Sequence, residues 1–286
     1  MSVRLVITDA MWDRIEPLMP ADPIRGRRWA DHRRTLEAIA WKYRTCSPWR
    51  DLPDELGSFQ TAHKRLLRWA VDGTWKRILA ALLVVADAGD DIGWTVSVDS
   101  TVRRAHQHAA GARKKGIRDR AEPDDYALGR SRGGLSTKVH LVSDSHARPL
   151  VLRVTAGQAG DAPAFEAVMA GIRVPRSGPG RPKTRPDAVL ADRAYSSRAI
   201  RSHLRRRGIR AVIPQPSDQV GHRLRRGRAG GRPPAFDAET YKQRNAVERC
   251  INRFKQWRGL AMRNDKLAIA YQAAFHLAAI LIWARR

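Results

Sequence analysis

The chain has 286 residues, and its 54 Lys and Arg against 28 Asp and Glu give a formal net charge of +26. Hydrophobic residues at 43% suffice for a packed core, which excludes a wholly disordered basic tail, and the length allows one large domain or two modest ones. So large an excess of one sign implies an anionic partner, nucleic acid rather than a membrane, because no apolar span of about 20 residues and no N-terminal signal segment is read.

Charge divides unevenly along the chain. Residues 1–90 hold 15 basic and 12 acidic residues, a net of +3, and six of the nine tryptophans, whereas residues 91–286 hold 39 and 16, a net of +23. This change sets the expected domain boundary. In the first part, Thr8 and Asp9 cap a helix carrying Trp12, Ile15, Leu18 and Met19, which Pro20 ends. A second helix from Asp31 places Leu36, Ile39, Ala40 and Tyr43 at 3–4 spacing, and Ser47-Pro48 closes it. Ser58 opens a third with Phe59, Ala62, Leu66 and Trp69; bearing Lys64, Arg65 and Arg68, it makes a helix-turn-helix one option. The tryptophans read as core.

The second part alternates strand and helix. Strands are expected at 94–98 (WTVSV), 137–142 (TKVHLV), 149–155 (PLVLRVT), 188–191 (AVLA) and 209–213. Helices are expected at 161–172, at 197–207 with a basic face, at 241–257 and at 267–283, the last carrying Gln272 and His276 and reading as buried. The pattern describes an α/β layered domain. Two basic loops interrupt it, 101–134 with nine Arg and Lys and 216–240 with GHRLRRGRAGGRPP. Arg113, Lys114, Lys115, Arg225 and Arg226 are their candidate phosphate contacts. Cys46 and Cys250 form no CxxC pair or Cys/His cluster, so neither zinc nor a disulfide framework is expected, and a reducing cytoplasm fits.

Active residues in such sheets gather at the carboxyl ends of strands. Asp99 follows WTVSV and Asp192 follows AVLA. On a helix turning about 100° per residue, with Tyr241 at 0°, Arg244, Glu248 and Lys255 fall near 300°, 340° and 320°, a stripe about 60° wide. Val247, Ile251 and Phe254 form an adjoining apolar face that can anchor the helix on a sheet. A plain Arg244–Glu248 surface pair would give the same spacing. If Asp99, Asp192 and Glu248 converge, cations must neutralise them, and all-oxygen ligands favour Mg²⁺ or Mn²⁺ over zinc. Two such ions about 4 Å apart suit phosphodiester chemistry. Among other candidates, a His-x-His nuclease reading of His106 and His108 is disfavoured by polar Gln107 and a loop setting, and Ser100 and Thr101 read as turn-shaping.

YKQRNAVERCINRFK (residues 241–255) fits Y-(2)-R-(3)-E-(6)-K, and the sequence here resembles bacterial insertion-sequence transposases of the DDE class. VDST and LADRAY resemble that class's two Asp blocks, while TDAMWDRIEPLMP, SPWRDLP, AHQHAAGARK and LGRSRGGLSTKVHLV resemble the insertion-sequence-five group. The resemblance runs from about residue 5 to 283. It implies an α/β fold in which an RNase H-like catalytic core, a mixed five-stranded sheet with helices, follows a small all-α domain at 1–90. It implies an endonuclease and strand-transfer enzyme using two Mg²⁺ or Mn²⁺ ions on Asp99, Asp192 and Glu248, with Tyr241, Arg244 and Lys255 holding the transposon end. Residues 1–90 would recognise that end, dimerise, or both. Its partners would be the terminal inverted repeats and target DNA, met as a homodimer in the cytoplasm at the bacterial nucleoid, since two ends need two active sites. Two alternatives remain at this point. A metal nuclease that only hydrolyses would not need the helix stripe or the N-terminal part, and a non-catalytic basic DNA-binding protein would tolerate Asp99→Asn.

Overall fold

The computed structural model describes residues 4–22, 24, 28–111 and 122–285. Four helices come first: α1 (Asp9–Ile15), α2 (His32–Thr45), α3 (Phe59–Val71) and α4 (Thr74–Ala88). The Thr8 hydroxyl caps α1 by accepting from the Met11 amide, and the Asp31 carboxylate caps α2 by accepting from the Arg34 amide. The fourth helix is additional to the three expected. Its buried stripe of Trp75, Ile78, Leu79, Leu82, Leu83 and Ala86 has the 3–4 spacing that was legible in the sequence. Trp69 and Trp75 are buried, and Trp12, Trp41 and Trp49 pack partly buried against the core. Arg65 is buried as well, its guanidinium 3.5 Å above the Trp29 ring, which removes it from the candidate contacts of a helix-turn-helix.

The rest runs β1 (Thr95–Arg104), α5 (Gln107–Ala110), β2 (Gly129–Ser131), β3 (Gly134–Ser143), β4 (Pro149–Ala156), α6 (Asp161–Ala170), β5 (Ala188–Leu190), α7 (Arg198–Arg206), β6 (Arg210–Val212), α8 (Ser217–Arg225), α9 (Ala238–Lys242), α10 (Asn245–Lys255), α11 (Arg258–Ala261) and α12 (Ala268–Ala284). All five expected strands are present, and β2 makes a sixth. In the mixed sheet β3 pairs antiparallel with β1 and β4, while β5 runs parallel to both β1 and β6. The path β4-β3-β1-β5-β6 is thus antiparallel on one side of β1 and parallel on the other. Asp99 reaches α10 while its neighbour Ser100 reaches α6, so these helices cover opposite faces of the sheet.

The elements differ from expectation in three further respects. β1 does not stop at Val98, because β3 pairs with it as far as Arg104; Asp99 therefore lies inside a strand. Both basic loops are partly ordered into elements, β1, α5 and β2 in one and α8 in the other, where Asp218 in the first turn and His222, Arg223 and Arg225 in the last complement the helix dipole. The single helix expected at 241–257 is divided. The amides of Gln243, Arg244, Ala246 and Val247 each donate three residues back, to Thr240, Tyr241, Gln243 and Arg244, forming a tightened turn between α9 and α10.

One apolar core spans the chain. The helix α12 packs on α1 to α4 and on β4, with nearly every side chain buried, and Phe275 meets Phe254 of α10 edge-on at 5.3 Å. No helix among the described residues is long and apolar enough to cross a membrane.

Candidate active site

The two aspartates come together through sheet register. Thr95 pairs with Ala188 and Ser97 with Leu190, and the same parallel register carried two residues further sets Asp99 beside Asp192. There β5 has ended, and the Asp192 carboxylate accepts from the Ala194 amide at 2.8 Å, capping a single 3₁₀ turn at Arg193–Tyr195. The third acid arrives on α10, held to β1 and β3 by buried Val247, Ile251 and Phe254. Arg244, at the tightened turn, joins the groups. Its Nη2 donates to Asp99 Oδ2 at 2.5 Å and its Nη1 to Glu248 Oε1 at 3.3 Å. The i,i+4 pair is present, but it is one arm of a bridge into the sheet.

The electrostatics agree with this convergence. Burial pushes the Asp99 carboxyl up to about 6; the Ser100 amide and Arg244 oppose that rise, and the charges of Glu248 and Asp192 add to it. For Arg244 burial acts downward, yet Asp99, Tyr241, Glu248 and Asp192 together hold it above its ordinary value. All three acids thus act on one guanidinium. Their side chains are unequally covered, that of Asp99 being 15% exposed and that of Glu248 47%.

Behind Asp99 lies a network that sequence reasoning missed. Ser100, read there as turn-shaping, is a strand residue opposite His140; its amide donates to Asp99 Oδ1 at 2.7 Å and its hydroxyl to Asp161 Oδ1 at 2.6 Å. Lys138 Nζ reaches the same Asp161 oxygen at 3.0 Å. Burial pulls His140 down to about 4, so at neutral pH Lys138 is the cation serving Asp161. The only local signal was an acid at the start of a helix, which reads as an ordinary first-turn residue.

The remaining candidates are dispersed. Tyr241 packs on Ala188, Leu190 and Val212 and meets Phe236 at 5.3 Å. Lys255 is exposed at the end of α10, seven residues and so about 10 Å beyond Glu248. Arg225 and Arg226 are exposed at the end of α8, whose Gln219 is bonded to Ser196 in the segment after Asp192. Arg113, Lys114 and Lys115 lie outside the described residues. His106 caps the one-turn α5, with its ring 4.5 Å from that of His108. Among the described residues no group of three His, Cys, Asp or Glu is placed to hold a metal ion. The donor chemistry nonetheless fits one: three carboxylates with no nitrogen or sulfur ligand suit a hard divalent cation, and Arg244 supplies positive charge between two of them.

Residues 92–283 match the family described as "Transposase DDE domain", and residues 7–79 match "Putative transposase of IS4/5 family". The chain belongs to the IS4/5-type DDE transposases. DNA transposition is the function of this family, and its DDE domain implies DNA binding and dependence on a divalent metal. A relative in Brucella ovis, "Putative transposase for insertion sequence element IS6501", is 28% identical over 151 residues, 53% of this chain and 100% of that protein. The "Insertion element IS402 uncharacterized 16.2 kDa protein" of Burkholderia cepacia is 37% identical over 108 residues, 35% of this chain and 74% of that one. "Uncharacterized protein y4sN" of Sinorhizobium fredii is 38% identical over 110 residues, 38% and 83% respectively. Among solved structures, "Mos1 transposase paired-end complex with left transposon end" is 13% identical with a TM-score of 0.26, covering 87% of this chain and 83% of that one. A likeness that slight carries no argument about this transposase.

Proposed function

We propose that Asp99, Asp192 and Glu248 are the catalytic acids with which this transposase cuts the ends of its insertion sequence and joins the 3′-hydroxyl to target DNA. The observation that carries the reading is the meeting of acids from β1, the end of β5 and α10 around the Arg244 guanidinium. The three carboxylates would hold a pair of Mg²⁺ or Mn²⁺ ions, which supply electrophilic stabilisation for the oxygens of a phosphodiester. The chain's own residues do the rest. Ser100 holds the Asp99 carboxylate by its amide. Arg244 and Lys255 neutralise phosphate at the transposon end, and Tyr241 stacks on or hydrogen-bonds the DNA end. Arg113, Lys114, Lys115, Arg225 and Arg226 track the backbone, consistent with a net charge of +23 after residue 90. Residues 1–90 form the module that recognises the ends, pairs two protomers, or both. Two ends cut and joined in one event require two active sites, so the working form is a homodimer on DNA.

The test uses the full chain, Mg²⁺ and duplexes cut from the DNA that flanks the coding sequence. Wild type is expected to nick these duplexes and to join the ends to a second DNA. Asp99→Asn and Glu248→Gln are expected to lose about a thousandfold or more in cleavage rate, several kcal/mol of transition-state stabilisation, while still binding DNA. Cleavage without joining in the wild type would indicate the hydrolytic nuclease. Cleavage by the variants at the wild-type rate would place the chemistry elsewhere.

A further inference from the structure

Arg244 stands where the acids most need positive charge. Its two terminal nitrogens reach carboxylates on different elements, Asp99 on β1 and Glu248 on α10, and its side chain is 17% exposed. Its Nε is buried with no hydrogen-bond partner. A buried unpaired donor is unfavourable, so this seat is a compromise for the guanidinium. A planar fork of donors is better matched by a phosphate, which accepts from two parallel N–H groups. A divalent cation held by Asp99 and Glu248 would have to compete with Arg244 for the same two carboxylates.

On the reading of Asp99 and Glu248 as metal-binding acids, we propose that Arg244 is their resident counter-ion and exchanges with the metal. Without DNA the guanidinium occupies the acid pair and the metal binds weakly. A phosphate of the transposon end draws Arg244 away, and the vacated carboxylates accept the cation. Metal and DNA therefore promote each other's binding through one side chain, and the coupling is reciprocal. The device keeps the site from loading before a DNA end is in place.

The experiment measures Mn²⁺ binding to the full chain by electron paramagnetic resonance, with and without a duplex from the flanking DNA. Without DNA, Arg244→Gln is expected to bind Mn²⁺ about tenfold more tightly than wild type, because its sites are no longer masked. DNA is expected to tighten Mn²⁺ binding by wild type about tenfold and by Arg244→Gln far less. Arg244→Lys keeps the charge but not the two-pronged reach, so it too should bind free Mn²⁺ more tightly than wild type. A gain in the Gln variant with none in the Lys variant would reduce the effect to general charge and overturn direct exchange. Equal DNA enhancement in wild type and Arg244→Gln would overturn it as well. Asp99→Asn separates the two readings: if it binds Mn²⁺ like wild type, the metal-site reading itself fails. If it abolishes binding while the Arg244 variants match wild type, only the exchange fails.

Discussion

At the scale of single residues, the ionised Asp99 carboxylate is costly to the fold. Its carboxyl titrates at about 6 in the fold against an ordinary 3.8, with burial as the main cause. The folded protein therefore holds this proton more tightly than the unfolded chain does. Below about pH 4 both states are protonated and nothing is lost; as pH rises through 4 to 6 the fold surrenders stability, and above that range the loss is complete. Asp99→Asn removes the cost. In the absence of divalent metal the variant is expected to be more stable than wild type by about 2 kcal/mol near pH 8 and indistinguishable near pH 4, by thermal or urea unfolding at both values. A difference of the same size at both pH values would remove the ionisation of Asp99 as its cause. Positions 99, 192 and 248 were legible in the sequence, since two follow apolar runs and the third shares a stripe with Arg244. The Ser100, Lys138 and Asp161 set was not. Those residues lie on two strands and a helix start, and only the register that sets Ser100 opposite His140, together with the seating of α6, brings them to one oxygen.

At the scale of elements, close approach limits the choice of residue at Gly259, in the short helix α11 that seats against α2. A Cβ there would lie 2.9 Å from the Tyr43 carbonyl oxygen and 3.0 Å from its Cα, both backbone atoms that cannot swing aside. Tyr43 in turn donates its hydroxyl to the half-buried Asp265 at 3.0 Å, so a shift of α2 would disturb that hydrogen bond. Gly259→Ala is expected to destabilise the protein by about 1–3 kcal/mol, read as a lower denaturation midpoint with an unchanged slope. Unchanged stability would mean that α11 moves freely on α2. Tertiary partners also explain the element boundaries the sequence concealed. β1 continues past Asp99 because β3 supplies a ladder to Arg104, a partner invisible in the local pattern. The turn at residues 243–244 breaks an otherwise unbroken helical periodicity, so a stripe computed at a constant angle could place Arg244 near Glu248 but not across to Asp99. By contrast α12 was fully legible, because a helix apolar on every side has to be buried on every side.

At the scale of the whole molecule, charge and packing divide the chain differently. The formal charge is +3 before residue 91 and +23 after it, yet the apolar core ignores that line. The helix that completes the N-terminal bundle is the last in the chain. α12 packs on α1 to α4, Arg14 Nη1 donates to the Ala284 carbonyl at 3.0 Å, and buried His276 feels the charge of Lys76 on α4. A fragment ending at residue 90 keeps its four helices but loses the surface that α12 covers, and helices of 7 to 15 residues are marginal without tertiary packing. The fragment is expected to show no cooperative thermal transition and to bind a hydrophobic dye, whereas the full chain melts as one unit. A cooperative melt of the fragment alone would show that the bundle carries a sufficient core of its own. The shared core bears on function directly. α12 touches both the bundle and β4, and α10 packs on β1 and β3, so a DNA end gripped by the bundle would be held in fixed relation to Asp99 and Glu248. If those acids are catalytic, as proposed, rigid positioning of substrate against them is worth more than a flexible tether, because a displacement of about 1 Å can cost a hundredfold in rate.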